Sequence, residues 1–325
     1  MSNRRIQREQ SDRFPCRFVA FIALLCARLV PALWTPYNDN QILPSTISRC
    51  LVAFASSACE MCFFKGVCRE FGHHVGKITL IFLLSSAGMF SASFAFLYST
   101  FLMDVTMLSL SAWYHRNYEL AIFLSVISSF LSFTFAGLLR VPMILDFLLF
   151  SQKVDKAKKT WVVIGTITLD TMAYYFFSKE ALHSISQEPW YFFYFYYGFL
   201  NFNFIFQLAL STPIALILVD KKISANARNP ARIPYLLSIL PLYLCLTVYH
   251  FQQQEKTFIL PVYPLICLCG ALTVDSVQRL YAKFFIKRSK HYHNYNLRIT
   301  YPIVTITTIL NIARIRALYS GSFLH

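Results

Sequence analysis

His250-Phe-Gln-Gln-Gln-Glu-Lys-Thr-Phe-Ile-Leu-Pro-Val-Tyr-Pro-Leu-Ile-Cys-Leu-Cys-Gly-Ala271 is the stretch whose reading decides the fold. It passes from a polar knot, Gln252 to Thr257, into an apolar run broken by Pro261 and Pro264. Prolines one turn apart suit the first turn of a helix, where the backbone donors have no internal partner to lose. The apolar run then reads as a membrane helix, with Glu255 and Lys256 just outside its mouth. A charged knot there is either a place to handle a polar headgroup or an ordinary interfacial loop with snorkelling side chains.

The rest of the chain has the same character. Hydrophobic residues make up 56% of the 325 and charged residues 14%, where a soluble domain carries nearer a quarter charged. Apolar runs long enough to cross a bilayer recur throughout. The formal net charge of +15 does not point to nucleic acid. The basic residues fall in short clusters between apolar runs, as a cytosolic face and acidic lipid headgroups require. Membrane lipids are therefore expected partners and a polynucleotide is not.

Taken in order, residues 1–17 read as a basic cytosolic N-terminus and 18–318 as a multi-pass membrane domain, with 319–325 a short luminal tail. The first apolar run continues to Trp34 and contains Arg28, so it reads as a retained helix rather than a cleaved signal. Further segments are expected near 42–64, 78–97, 101–114, 118–139, 161–177, 191–219, 235–249, 258–274 and 301–312. Asp104 is expected to interrupt a short segment near its solvated end, and Asp170 to lie near another end. Arg140 and Pro142 are expected to end a helix and leave 141–150 as a half-helix or re-entrant return. The fold class is all-α, a polytopic helical bundle of about nine to eleven membrane segments. Counting crossings with the positive side inside places 35–41, 178–190 and 250–257 on one luminal face.

The nine cysteines lie mostly in apolar runs, where Cys acts as a small hydrophobe. Cys59-Glu-Met-Cys62 has CxxC spacing but no second pair and no His at ligand spacing, so neither a metal site nor a disulfide framework is expected. His291-Tyr-His293 lacks carboxylate and cysteine partners, and His183 reads as a loop residue. Tyr191 to Tyr197 fits a lipid or sugar groove and an interfacial aromatic belt equally well.

Glu255, Phe258, Pro261 and the run Val262 to Ala271 resemble the C-terminal signature of the dolichyl-phosphate-mannose-dependent mannosyltransferases, glycosyltransferase family 22, of GT-C architecture. Arg49 to Phe54, Phe71-Gly72, Gly88-Met-Phe90, Leu145-Asp146, Glu188-Pro-Trp-Tyr191 and Gly198-Phe-Leu-Asn-Phe-Asn203 are similar to further landmarks of that family in the same order. The wording is nearest to the branch that forms α-1,2 linkages in the asparagine-linked glycan pathway. Where that family reads His-Lys-Glu-Glu-Arg-Phe, this chain has Gln253, Gln254, Glu255, Lys256, Thr257 and Phe258, keeping the first Glu and the Phe.

The resemblance implies a multi-pass protein of the endoplasmic reticulum membrane that moves mannose from dolichyl-phosphate mannose to a lipid-linked oligosaccharide. Inverting the anomeric carbon in one step needs a carboxylate to take the acceptor proton and donors to stabilise the leaving phosphate. The phosphate leaves readily, so no metal and no cofactor are expected. The acidic motif that the family carries in its first luminal loop is absent between Pro36 and Gln41, where Asp39 is the one acid. Asp39 is either a substitute base or a turn residue in a tight Asn-Asp-Asn connection. Glu255, Lys256, Tyr263, Glu188 and Trp190 are the expected substrate contacts. A non-catalytic relative that binds dolichyl-linked lipid or a partner, and a glycolipid-anchor mannosyltransferase, stand as alternatives. A transporter would show paired intramembrane charges or an inverted repeat, and the sequence has neither.

Overall fold

The structure, a computed structural model, describes residues 42–94, 98–131, 135–150, 198–223, 239–247, 260–285 and 292–322, with isolated positions at 25, 29, 162, 164–166 and 168. Among the described residues all regular structure is helical, as the all-α reading requires. The main helices among the described residues are α1 Ile42–Phe71, α2 His73–Ser85, α3 Ala87–Phe94, α4 Tyr98–Tyr114, α5 Tyr118–Leu131, α6 Phe135–Phe150, α7 Phe204–Ile223, α8 Tyr263–Phe285 and α9 Tyr292–Ser322, with shorter helical stretches at Leu200–Phe202 and 239–247.

Helix α8 is the central pillar. Within it Leu265, Ile266, Cys267, Leu268, Cys269, Ala271, Leu272 and Val274 are all buried. The spans Ile47–Phe71 and Leu260–Tyr281 are long and apolar enough to cross a membrane, but 94% of the second is covered by protein against 50% of the first. So α1 turns a side to lipid, displaying Ile47, Leu51 and Phe54, while α8 sits inside. It packs on α7, α2 and α9, and α2 in turn joins α1. A row of neighbours then runs from α1 to α4, α5 and α6.

Two features let α7 and α8 approach closely. A Cβ on Gly270 would stand 3.1 Å from Ile205 Cγ2 and 3.3 Å from the Ile205 carbonyl oxygen. Next to it the Thr273 hydroxyl reaches the Leu208 carbonyl at 2.8 Å and lies 2.9 Å from the Thr212 hydroxyl, which is itself 3.1 Å from the Cys269 carbonyl. The Tyr243 hydroxyl adds bonds to the Ala209 and Leu210 carbonyls, each at 2.9 Å. Lipid tails give apolar helices little reason to associate, so small residues and interhelical hydroxyl bonds supply it.

Several expected boundaries move. The segment expected over 78–97 is broken at Ser86, and α2 and α3 meet at a 67° bend. Ser86 is extended, at φ −70° and ψ 128°, and its N–H still bonds the Phe82 carbonyl at 3.0 Å. Asp104 does not interrupt a helix or sit at a solvated end. It lies inside the unbroken α4, buried, with both carboxylate oxygens 2.9 Å from the Ser56 hydroxyl of α1. Arg140 and Pro142 do not end a helix, because α6 runs through both. Arg140 is buried and donates from Nη2 to the Ser125 carbonyl of α5 at 2.8 Å, so neighbouring protein meets its charged side chain within the bundle. Helices α8 and α9 likewise run on through Arg279 to Phe285 and back to Tyr292, into what reads as a basic loop. The expected segments over 18–34 and 161–177, the 191–197 start of the segment over 191–219, and the expected luminal stretches 35–41, 178–190 and 250–257 lie outside the continuously described residues.

Filling the Gly270 gap tests the packing. Gly270→Leu is expected to cost about 1–3 kcal/mol, the usual penalty for overpacking a tight contact, read as a lower unfolding midpoint of the detergent-solubilised protein. An unchanged midpoint would show that α7 and α8 are not held at this distance.

Candidate functional site at the mouth of the central helix

Pro261 and Pro264 sit where the first-turn argument puts them. Leu260–Val262 form a single 3-10 turn, and α8 starts at Tyr263. Tyr263 is 4% exposed. Its hydroxyl accepts a hydrogen bond from Asn201 Nδ2 at 3.2 Å, and its ring meets Phe202 edge to face with centroids 4.7 Å apart. Asn201 and Phe202 in turn lie against the start of α3. A Cβ on Gly88 would stand 2.9 Å from the Phe202 ring and 3.2 Å from Asn201 Cβ, so a side chain there would push them off the tyrosine.

Asn203 completes this end. Its backbone holds φ 47° and ψ −125°, a conformation an L residue keeps only when its surroundings impose it. The Asn203 N–H donates to the Phe199 carbonyl at 2.6 Å, and its side-chain Nδ2 donates to Asn311 Oδ1 of α9 at 2.7 Å. Thus α3, the 198–203 segment, α8 and α9 converge at one end, through amides and a phenol rather than charges.

The opposite helix ends are basic. Arg69 near the end of α1, Lys77 in α2, Arg116 after α4, Lys221 and Lys222 in the last turn of α7, and Arg279 in α8 all belong to it. Contact between His74 Nε2 and Gln278 Oε1 joins the start of α2 to the later part of α8. A dense polar group pins this end. Asp146 Oδ2 accepts from Trp113 Nε1 at 2.7 Å, the Tyr118 hydroxyl at 3.1 Å and Arg116 Nη1 at 3.3 Å, while Arg116 Nη2 donates to Glu70 Oε1 at 2.7 Å. Desolvation works against the Arg116 charge, but Tyr118, Glu70 and Asp146 more than offset it and hold the guanidinium above its usual pKa. Four helices, α1, α4, α5 and α6, are tied by this one buried carboxylate and its arginine. These contacts give the Asp146 landmark an architectural role.

Of the expected substrate contacts, Tyr263 is placed at the mouth. Asp39, Glu188, Trp190, Glu255 and Lys256 lie outside the described residues. Lys256 and Glu255 are separated from the Leu260 turn by four or five residues of sequence, so the polar knot leads directly into this end of the bundle. Among the described residues no three His, Cys, Asp or Glu side chains gather at metal-binding distance, and Cys59 and Cys62 are free thiols on α1. The sequence places Asn203 in a family landmark without indicating its partner, and does not single out Asn311 or the Arg116–Glu70 pair. The signals were an amide inside an aromatic run, an amide inside the apolar Ile-Leu-Asn-Ile of α9, and an arginine at a short helical turn.

Residues 9–322 match the Alg9-like mannosyltransferase family. The chain is 36% identical over 309 residues to the alpha-1,2-mannosyltransferase Alg9 of Drosophila melanogaster, an alignment covering 87% of this chain and 49% of that protein. It is 32% identical over 307 residues to the alpha-1,2-mannosyltransferase ALG9 of Homo sapiens, covering 87% and 50%. With the alpha-1,2-mannosyltransferase ALG9 of Arabidopsis thaliana the identity is 24% over 297 residues, covering 86% and 50%. The chain spans about half the length of the curated relatives it matches.

The Asp146 group makes a testable claim about stability. Asp146→Leu leaves the Trp113 N–H and the Tyr118 hydroxyl without their acceptor and is expected to cost about 1–3 kcal/mol. Asp146→Asn keeps an oxygen for Trp113 and should cost less. Thermal unfolding of both variants in detergent measures this, and an Asn variant as damaged as the Leu variant would assign the effect to the charge on Arg116 instead.

Proposed function

The chain belongs to the Alg9-like mannosyltransferase family, and we propose that it transfers mannose from dolichyl-phosphate mannose to a lipid-linked oligosaccharide, forming an α-1,2 linkage in the endoplasmic reticulum membrane. The observation that carries this reading is the family match across residues 9–322. It is supported by the split between a basic end and an amide- and aromatic-lined end at Tyr263. The basic end is taken as cytosolic and the Tyr263 end as luminal, which makes the N-terminus cytosolic.

In this reading the acceptor hydroxyl attacks the anomeric carbon from the side opposite the phosphate. A carboxylate removes the hydroxyl proton as the new bond forms. The bond from the anomeric carbon to the phosphate oxygen breaks, and dolichyl phosphate departs with the electron pair. Asp39 is the acid of the first luminal stretch and takes the base role. In this reading Lys256 offsets charge on the departing phosphate, with Glu255 next to it in sequence. Glu188 and Trp190 contribute sugar contacts, the indole by covering an apolar sugar face. Tyr263, fixed by Asn201 and Phe202, anchors the start of α8. A phosphate leaving group asks for no metal.

Expression of this chain in cells that lack the lipid-linked α-1,2-mannosyltransferase, followed by mass profiling of the lipid-linked oligosaccharides, tests the reading. Restored mannose extension is expected. Asp39→Asn should then lower extension by about 10²-fold or more, the usual size of a general-base contribution. Failure to extend, with the protein present in the membrane, would overturn the transferase reading in favour of a family relative that binds lipid without catalysis.

A further inference from the structure

Two donors on α9 take no part in anything assigned above. Asn311 is fully buried. Its Oδ1 accepts from Asn203 Nδ2 at 2.7 Å, which turns its own Nδ2 elsewhere, and among the described residues that nitrogen has no hydrogen-bond partner. Three residues on, Arg314 is partly buried, and its Nε is covered yet also without a partner among the described residues. Positions three apart on a helix lie on one face, so an unmet amide N–H and an unmet guanidinium N–H stand side by side.

Unmet buried donors are costly, and charged ones more so. Here the arrangement is held in place from outside: the strained Asn203 backbone brings the amide that fixes Asn311. The set contains only donors and carries a positive charge, since guanidinium and an amide nitrogen accept nothing. Its complement is an oxyanion with several acceptor oxygens, for which arginine is the matching donor. The group also lies at the Tyr263 end, because Asn201, two residues before Asn203, is bonded to Tyr263.

We propose that Asn311 and Arg314, oriented by Asn203, bind a phosphate group, carried by a polyprenyl phosphate lipid or present as free phosphate. The assignment rests on reading the Tyr263 end as the face where substrate is handled. It adds a second phosphate-binding element, on α9, to the one expected from Lys256.

The test uses the purified full chain in phosphatidylcholine nanodiscs, with binding of polyprenyl phosphate, phosphate-free polyprenol and inorganic phosphate measured separately. The wild type is expected to prefer polyprenyl phosphate to polyprenol. Arg314→Gln and Asn311→Leu should each weaken that binding by about tenfold or more, as loss of a charge-assisted bond predicts, and Arg314→Lys should keep more of it. Inorganic phosphate that competes with the lipid on the wild type but not on Arg314→Gln upholds the site with free phosphate as a source. Lipid binding lost in Arg314→Gln without such competition upholds it with the lipid as the source. Equal binding of polyprenol, or an Arg314→Gln chain that elutes and binds as the wild type does, overturns the proposal. The readout does not depend on mannose transfer. A chain that binds through Arg314 yet extends no oligosaccharide would lose the transferase reading alone, and an active chain indifferent to Arg314 would lose this one alone.

Discussion

The contact between α7 and α8 is the constraint on which the rest depends. A helix covered by protein over 94% of its apolar length has exchanged lipid for side chains, and lipid and leucine are equally apolar. Burial alone therefore cannot hold it. What does is proximity at Gly270 and the hydroxyls of Thr212 and Thr273, which tie each helix to carbonyls of the other. With α8 fixed, its start defines the mouth at Tyr263 and its later turns carry Gln278 to α2.

The two ends of the bundle are held by different chemistry. At the basic end a charged group, Asp146 with Arg116 and Glu70, gathers four helix ends. At the other end neutral groups do the holding, Asn201 on Tyr263 and Asn203 on Asn311. Arg314 of α9, three residues from Asn311, has an Nε with no hydrogen-bond partner among the described residues.

Recognition of the fold class and family rested on features that survive without three-dimensional knowledge. Apolar runs, basic clusters between them and the Pro261–Pro264 spacing are local, and the structure returns them as helices, basic ends and a first turn. The misplaced boundaries share a cause. Asp104, Arg140 and Pro142 were read as helix breakers or ends because each is costly in lipid by itself. In the bundle Ser56 meets Asp104, and the Ser125 carbonyl meets Arg140, so the helices continue.

The sequence by itself determined an all-helical membrane protein, its family, the helix start at Pro261–Pro264 and the clustering of basic residues at one set of helix ends. Those follow from composition and short spacing, which act over a turn or two of chain. Only the tertiary structure decided the partners: that Asp146 answers to Trp113, Tyr118 and Arg116, that Ser86 bends a segment through 67°, and that Asn203 reaches Asn311 across 108 positions. Polar groups in an apolar medium must be satisfied by whatever packs beside them, and which residue that is depends on helix contacts that no local pattern encodes.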